Sequence, residues 1–209
     1  MFAAALTLAL PMAATTARAQ VTQYTTLATY LAAVSNTGTD TFDDLNGVYF
    51  GRLSRSAGAY GYSASASGGL YSGSGYLSTN EPRRDLSLGS FTSFVGSIGG
   101  YFFATDANFN VLPGVEVFIN WSEVGGASGG AIITPTTSGD FFGVVSSSGF
   151  TSFTFYTPVS TFATADNLVL SSSVSPGTTV PEPSTYPLMA AGLAALGFVS
   201  RRRRRALVA

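Results

Sequence analysis

The sequence predicts a mainly β protein: an antiparallel β-sandwich, jelly-roll-like, with one short N-terminal helix and a C-terminal hydrophobic helix. Three observations carry that prediction. From residue 39 to residue 172 the apolar side chains recur with a period of two rather than 3.6. Nine or so such runs follow one another, each short and rich in aromatic and β-branched residues. Glycine and Ser/Asn/Asp clusters stand between the runs, where a strand must turn.

Residues 2–14 form an apolar run without a polar face, and Ala17-Arg18-Ala19 before Gln20 reads as a small-x-small cleavage site. Residues 1–19 are therefore expected to be a signal peptide, with Ala17 and Ala19 as its cleavage residues, although no Lys or Arg precedes the run. Residues 21–35 hold the one helical stretch of the body. Leu27, Tyr30, Leu31 and Val34 fall at i, i+3, i+4 and i+7, Thr25 or Thr26 is placed to cap the start, and Asn36-Thr37-Gly38 to end it. The first strands are expected at 39–45 and 48–53, joined by a tight turn at Asn46-Gly47.

Tyr60, Tyr62, Ala64 and Ala66 then alternate with small polar residues. Residues 68–78, rich in Gly, Ser and Tyr, read as loop, and 80–85 as a charged turn. Residues 94–105 and 112–124 are expected to pair as a hairpin through 106–110, with 125–130 as a further turn. Runs at 132–133, 141–146, 151–157 and 167–172 complete the series, Phe153 and Phe155 sharing one face. The body is thus residues 20–172, and the Ser/Thr/Pro/Gly segment 173–180 a linker.

The tail, residues 181–205, sets three features in order. These are Pro181-Glu182-Pro183, an apolar segment at 186–199, and an unbroken run of Arg201, Arg202, Arg203, Arg204 and Arg205. Pro183 pushes Glu182 out of the α region and both rings lack an amide donor, which leaves a stiff extended peptide that an enzyme's groove can take in. At about 1.5 Å per residue the apolar segment reaches roughly 22 Å as a helix, short of the roughly 30 Å hydrocarbon core. It therefore suits a transient signal, in the manner of tails that are cut away, better than a permanent anchor. The arginines hold their side in the cytoplasm and place the body outside. An ordinary membrane anchor behind a proline-rich linker is the plain alternative.

This order resembles the PEP-CTERM sorting signal of Gram-negative bacteria. The resemblance implies that an exosortase, a membrane-embedded cysteine transpeptidase-like enzyme, recognises Pro181, Glu182 and Pro183 and removes the tail. The protein would pass transiently through the inner membrane by its C-terminal helix and reach the cell surface or the exopolysaccharide matrix. In the body, Phe-Asp-Asp-Leu at 42–45 and the segments 99–106, 141–145 and 166–168 also resemble bodies that precede such tails.

Composition limits the chemistry. There is no Cys, no His and no Lys. Disulfides, the usual zinc sites and Ser-His-Asp or Cys-His nucleophile systems are thereby excluded. Four arginines stand against ten acids in the body, a formal charge of −6. That does not suit nucleic acid, which needs a basic footprint.

The candidate sites each have a plainer reading beside them. Asp106-x-Asn108-x-Asn110 looks like the start of an EF-hand loop, but Val111 and Val117 stand where the loop needs Gly and Glu, so a polar turn is expected. No cofactor is implied. The one metal reading is a structural calcium joining Asp43 or Asp44 to Asp166 and Asn167 if the first and last strands lie side by side; otherwise these are turn and edge residues in water. A glycosidase needs two carboxylates across a cleft, whereas Glu116 and Glu123, seven apart around Trp121, fall on opposite faces of one strand unless a bulge intervenes. Tyr60, Tyr62, Tyr71, Tyr76 and Trp121 would serve polysaccharide stacking, or else core packing, with the tyrosines of the glycine-rich stretch the most accessible. The reading is a non-enzymatic, exported protein of the cell surface or matrix. A carbohydrate-binding module is the alternative, ahead of a polysaccharide-active enzyme or an ice-binding protein.

Overall fold

Period-two alternation builds strands almost throughout. In residues 150–156, Phe153 and Phe155 turn inward to full burial while Ser152, Thr154 and Tyr156 between and beside them stay partly exposed. The computed structural model describes residues 21–158, 160–174 and 191–193. In chain order it contains β1 (Thr22–Tyr24), α1 (Leu27–Ala33), β2 (Val34–Asp40), β3 (Gly47–Tyr49), β4 (Arg52–Ala57), β5 (Tyr60–Ala66), β6 (Leu70–Gly73) and β7 (Tyr76–Thr79). There follow β8 (Leu86–Gly89), β9 (Ser97–Thr105), β10 (Val117–Glu123), β11 (Ser128–Ile133), β12 (Phe141–Val145), β13 (Phe150–Tyr156) and β14 (Phe162–Val174). One sheet has the order β1-β12-β9-β14-β7-β6-β3, with β2 also paired to β14; the other runs β11-β10-β13-β8-β5-β4. Every pairing is antiparallel.

The inward faces of the two sheets share one core. Phe102 of β9 meets Phe153 and Phe155 of β13 at ring-centroid distances of 5.2 and 4.9 Å, which binds the layers together. The thirteen-residue β14 is the spine of the first sheet. It pairs with β9 on one side and, on the other, with β7 and then β2. The change of partner falls at a bulge between Asp166 and Val169, where Asn167 takes φ 47°.

Several expectations are corrected. The helix is confined to α1, with Thr26 as the cap that accepts from the Thr29 amide. Tyr30 and Val34 of the expected face are buried, but Leu31 is 42% exposed. The flanking residues join ladders with β12 and β14 instead, so Asn36-Thr37-Gly38 continues a strand rather than stopping a helix. Asn46-Gly47 makes no hairpin either. The chain turns earlier, where Asp40 Oδ1 accepts the Phe42 amide and Phe42 adopts φ 60°, and β3 then pairs with β6. Gly51, at φ 81°, breaks residues 48–53 in two and sends β3 and β4 to different sheets.

Residues 68–78 are a hairpin, not a loop: β6 and β7 join through Ser74-Gly75, both with positive φ, the twist that two-residue hairpin turns require. The expected hairpin of 94–105 with 112–124 does not form. β9 lies between β12 and β14 in one sheet and β10 between β11 and β13 in the other; the two expected runs meet just after β9, where Thr105 bridges Val111 and the Leu112 amide donates to the Ala104 carbonyl. β9 takes the thirteen-residue β14 as a neighbour instead, and β10 is flanked by β11 and β13. Residues 128–130 belong to β11 rather than to a turn, and the body extends to Val174 instead of 172.

Residues 175–209 form a separate unit. Of it, residues 191–193 lie in an exposed helical turn, and no helix among the described residues is long and apolar enough to cross a membrane. Ala17 and Ala19, Pro181, Glu182 and Pro183, and Arg201 to Arg205 lie outside the described residues.

Candidate functional site

The β6–β7 hairpin carries two of the predicted tyrosines, and the chain leaving β9 folds back over them. Asp106 closes that fold. Its Oδ1 accepts the amides of Asn108 (2.8 Å) and Asn110 (2.9 Å), and its Oδ2 the Asn110 side-chain amide (2.8 Å). The Asn110 side chain first, then these amides, hold the Asp106 carboxyl below its usual range. So the predicted polar turn is present, and its acid is consumed by its own backbone rather than offered to a metal.

The turn delivers Phe109, at φ 62°, onto the tyrosines. Phe109 stacks on Tyr71 with centroids 5.3 Å apart and planes 17° from parallel. Tyr76 is wedged between Phe103 and Phe109 at 5.3 and 6.1 Å. Tyr76 is therefore half-buried packing, while Tyr71 keeps 37% of its surface exposed. Beside them opens a cleft of about 230 Å³ lined by Val48, Tyr71, Asn80, Asp106, Phe109 and Phe162. Thr79, whose buried hydroxyl has no hydrogen-bond partner among the described residues, also borders it. An exposed ring face in a cleft with polar side chains is the chemistry that takes a sugar's apolar face.

The other proposed platforms are core. Tyr60, Tyr62 and Trp121 are 6%, 3% and 5% exposed. Tyr62 donates to Asp40 (2.7 Å), and the Trp121 indole edge lies against Gly129, where no side chain leaves it room. They alternate with polar residues because they face the opposite sheet. Glu116 is exposed just ahead of β10 rather than within it, and Glu123 is buried at the end of β10, beside a register shift, and hydrogen-bonded by Ser146, so one faces solvent and the other the core.

The candidate calcium residues divide. β2 and β14 do lie side by side. Asp44, however, is held by both terminal nitrogens of Arg55 at 2.7 and 2.6 Å, which lowers its carboxyl. Asp43 lies close enough to Asp166 for its charge to help raise the Asp166 carboxyl, although burial contributes more. Among the described residues no three His, Cys, Asp or Glu side chains gather in one place.

Sequence reading missed the Arg55 clamp. Arg55 also donates to both oxygens of the buried Asp40, and its guanidinium lies 5.9 Å from the Phe42 ring centre. The available signal was its position on the inward parity of β4, between Leu53 and Ala57. Asp140, which gathers the amides and hydroxyls of Thr136 and Thr137, was missed as well. Its spacing is that of an ordinary turn.

A disulfide-free body of two antiparallel sheets, followed by a proline-bracketed acid, an apolar stretch and an arginine run, is the build of a protein addressed by its tail. Residues 179–205 match the family model described as the PEP-CTERM protein-sorting motif. The chain is a protein carrying this motif, and the motif implies exosortase-dependent sorting to the cell surface. No curated protein matches the chain.

Proposed function

We propose that this is a non-enzymatic protein of the cell surface or exopolysaccharide matrix, exported by a signal peptide, held briefly in the inner membrane, and released by exosortase. The matched motif at residues 179–205 carries the reading. A role without catalysis is supported by Glu116 and Glu123 facing apart, and by a composition that lacks the usual nucleophile partners. No cofactor is part of the reading, Asp44 being bound to Arg55. The strands from β8 to β14 mostly cross from one sheet to the other in turn, which supports a jelly-roll-like wrap.

For the body, the exposed ring of Tyr71 beside the 230 Å³ cleft favours the carbohydrate-binding version. The address is tested by Pro181→Ala with Pro183→Ala, which lets the peptide around Glu182 join the following helix and hides it from a protease-like groove. The expected result, read by fractionation of the producing cells, is that the variant stays in the membrane while the parent is released. Equal release of both would show the prolines to be incidental.

A further inference from the structure

We propose that the outer face of the six-stranded sheet is a binding track for one chain of an acidic, uronate-bearing polysaccharide. Its carboxylates would be taken by arginines at one end and its hydroxyls by cross-strand rows of Ser, Thr and Asn. This rests on the reading of a matrix protein and adds the class of polymer and the face that holds it.

The rows follow from the register. Asn120, Thr154, Ser87, Ser65 and Arg52 stand opposite one another across β10, β13, β8, β5 and β4. Two residues along, Ser122, Ser152, Gly89, Ser63 and Ser54 form a second row. Their inward neighbours Ile119, Phe153, Leu88 and Ala64 are core, so parity turns both rows away from the core, although Ser63 is buried and donates to the Gly89 carbonyl at 3.2 Å. At roughly 4.8 Å between strands, five strands give a track of about 19 Å. Arg52 is its only charged member. Ser87 and Thr154 hydroxyls already bond each other at 3.2 Å, so neighbouring positions are close enough to meet successive groups of one polymer.

Each end of the track is a recess. At the β10 end, Asn120, Ser122, Ser128, Ser152 and Thr154 line about 330 Å³. At the β4 end, about 670 Å³ is lined by Ser65 and Ser87 together with Arg52, Arg83 and Arg84. The body has four arginines and no lysine. Arg55 is tied to Asp40 and Asp44, and all three others border this one recess. Asp85 also lines it and Glu81 pairs with Arg84 at 2.8 Å, which leaves one net positive charge there on a body of charge −6. Arg52 donates to Ser90 at 2.6 Å, and Arg83 makes no ion pair among the described residues.

A neutral glycan can accept hydrogen bonds from these guanidiniums but offers them no charge to pair with. A phosphate polymer spaces its charges more closely than a uronate chain and needs a longer basic footprint than one recess supplies. A uronate polymer needs a few guanidiniums for carboxylates and hydroxyls for the remainder.

The test is binding of the full chain, in mild detergent, to polygalacturonate, dextran and inorganic polyphosphate. Melting curves for every variant keep unfolding apart from lost contacts. The parent should prefer polygalacturonate and weaken as salt rises. Arg52→Gln with Arg83→Gln should cost tenfold or more in affinity at unchanged melting temperature, and Thr154→Glu should do likewise from within the row; Leu31→Ala, exposed on α1, is the control that should change little, and Tyr71→Ala tests the Phe109 cleft. Unchanged affinity in the row and arginine variants overturns the proposal. Loss confined to Tyr71→Ala moves the polymer to the Phe109 cleft and overturns the track, while leaving the matrix reading intact. Equal binding of polyphosphate, or shaping of ice crystals without polymer binding, overturns it too. No polysaccharide bound at all sinks the track and the carbohydrate reading together.

Discussion

Asp166 is half-buried on β14, and loss of water raises its carboxyl above the ordinary range. Hydrogen bonds with Asn167 pull the other way, and the nearby charge of Asp43 adds to the rise. A carboxyl raised by folding favours the folded state below its unfolded value, about 3.9, and loses that contribution as pH climbs through the folded value. At neutral pH the ionised group is therefore a burden. Asp166→Asn keeps the shape and a side-chain acceptor for Asn167 while removing the charge. Thermal melts should show a higher midpoint than the parent at pH 7 and no difference near pH 3. The phenols run to the alkaline side. Burial first, with the charge of Asp40 next for Tyr62, raises both Tyr30 and Tyr62, so stability should fall once pH passes the unfolded tyrosine value of about 10.

Among the elements, β2 shows how closely the two sheets approach at one margin. A Cβ on Gly38 would strike the Ala57 carbonyl and sit 2.9 Å from the Gly58 amide nitrogen, both backbone and unable to swing aside. Gly58 answers it from the other layer with φ 58°. Gly38→Ala is therefore expected to cost about 1–3 kcal/mol, the range for overpacking a closed site. Gly139→Ala, where the nearest atom is the Thr137 hydroxyl at 3.7 Å, should stay within about 0.5 kcal/mol. Denaturant titration of the two variants beside the parent checks both, and equal costs would mean that the crossing has room to spread.

At the scale of the whole molecule, body and tail are separate in construction and in task. The body's strands are hydrogen-bonded into two sheets; the tail is an address matched over residues 179–205. Intact-mass measurement on protein from producing cells should show a chain beginning at Gln20 and lacking Arg201 to Arg205. A mass that retains both ends, in the membrane fraction, would contradict the processing at each terminus.

The address was legible in the order of residues because it is linear chemistry: two proline rings, an apolar stretch and five adjacent guanidiniums need no folding to be recognised. Strand character was legible too, since burial at every second residue leaves its mark on a single segment, as at Phe153 and Phe155. Partner choice was not. A residue such as Ile98 reads as strand whichever strand lies beside it, and nothing local says that β9 will leave nearby β10 for β14, some sixty residues away. The local helix signal around Leu27 was cut short for the same reason, its flanks finding better hydrogen bonds in distant ladders. The tyrosines show the same division. Their aromatic character is written in the chain, but only the packing of the sheets decided that Tyr60 and Tyr62 go inside, that Phe109 covers Tyr76, and that Tyr71 keeps a face to solvent. Burial is a property of two surfaces meeting, and each segment carries just one of them.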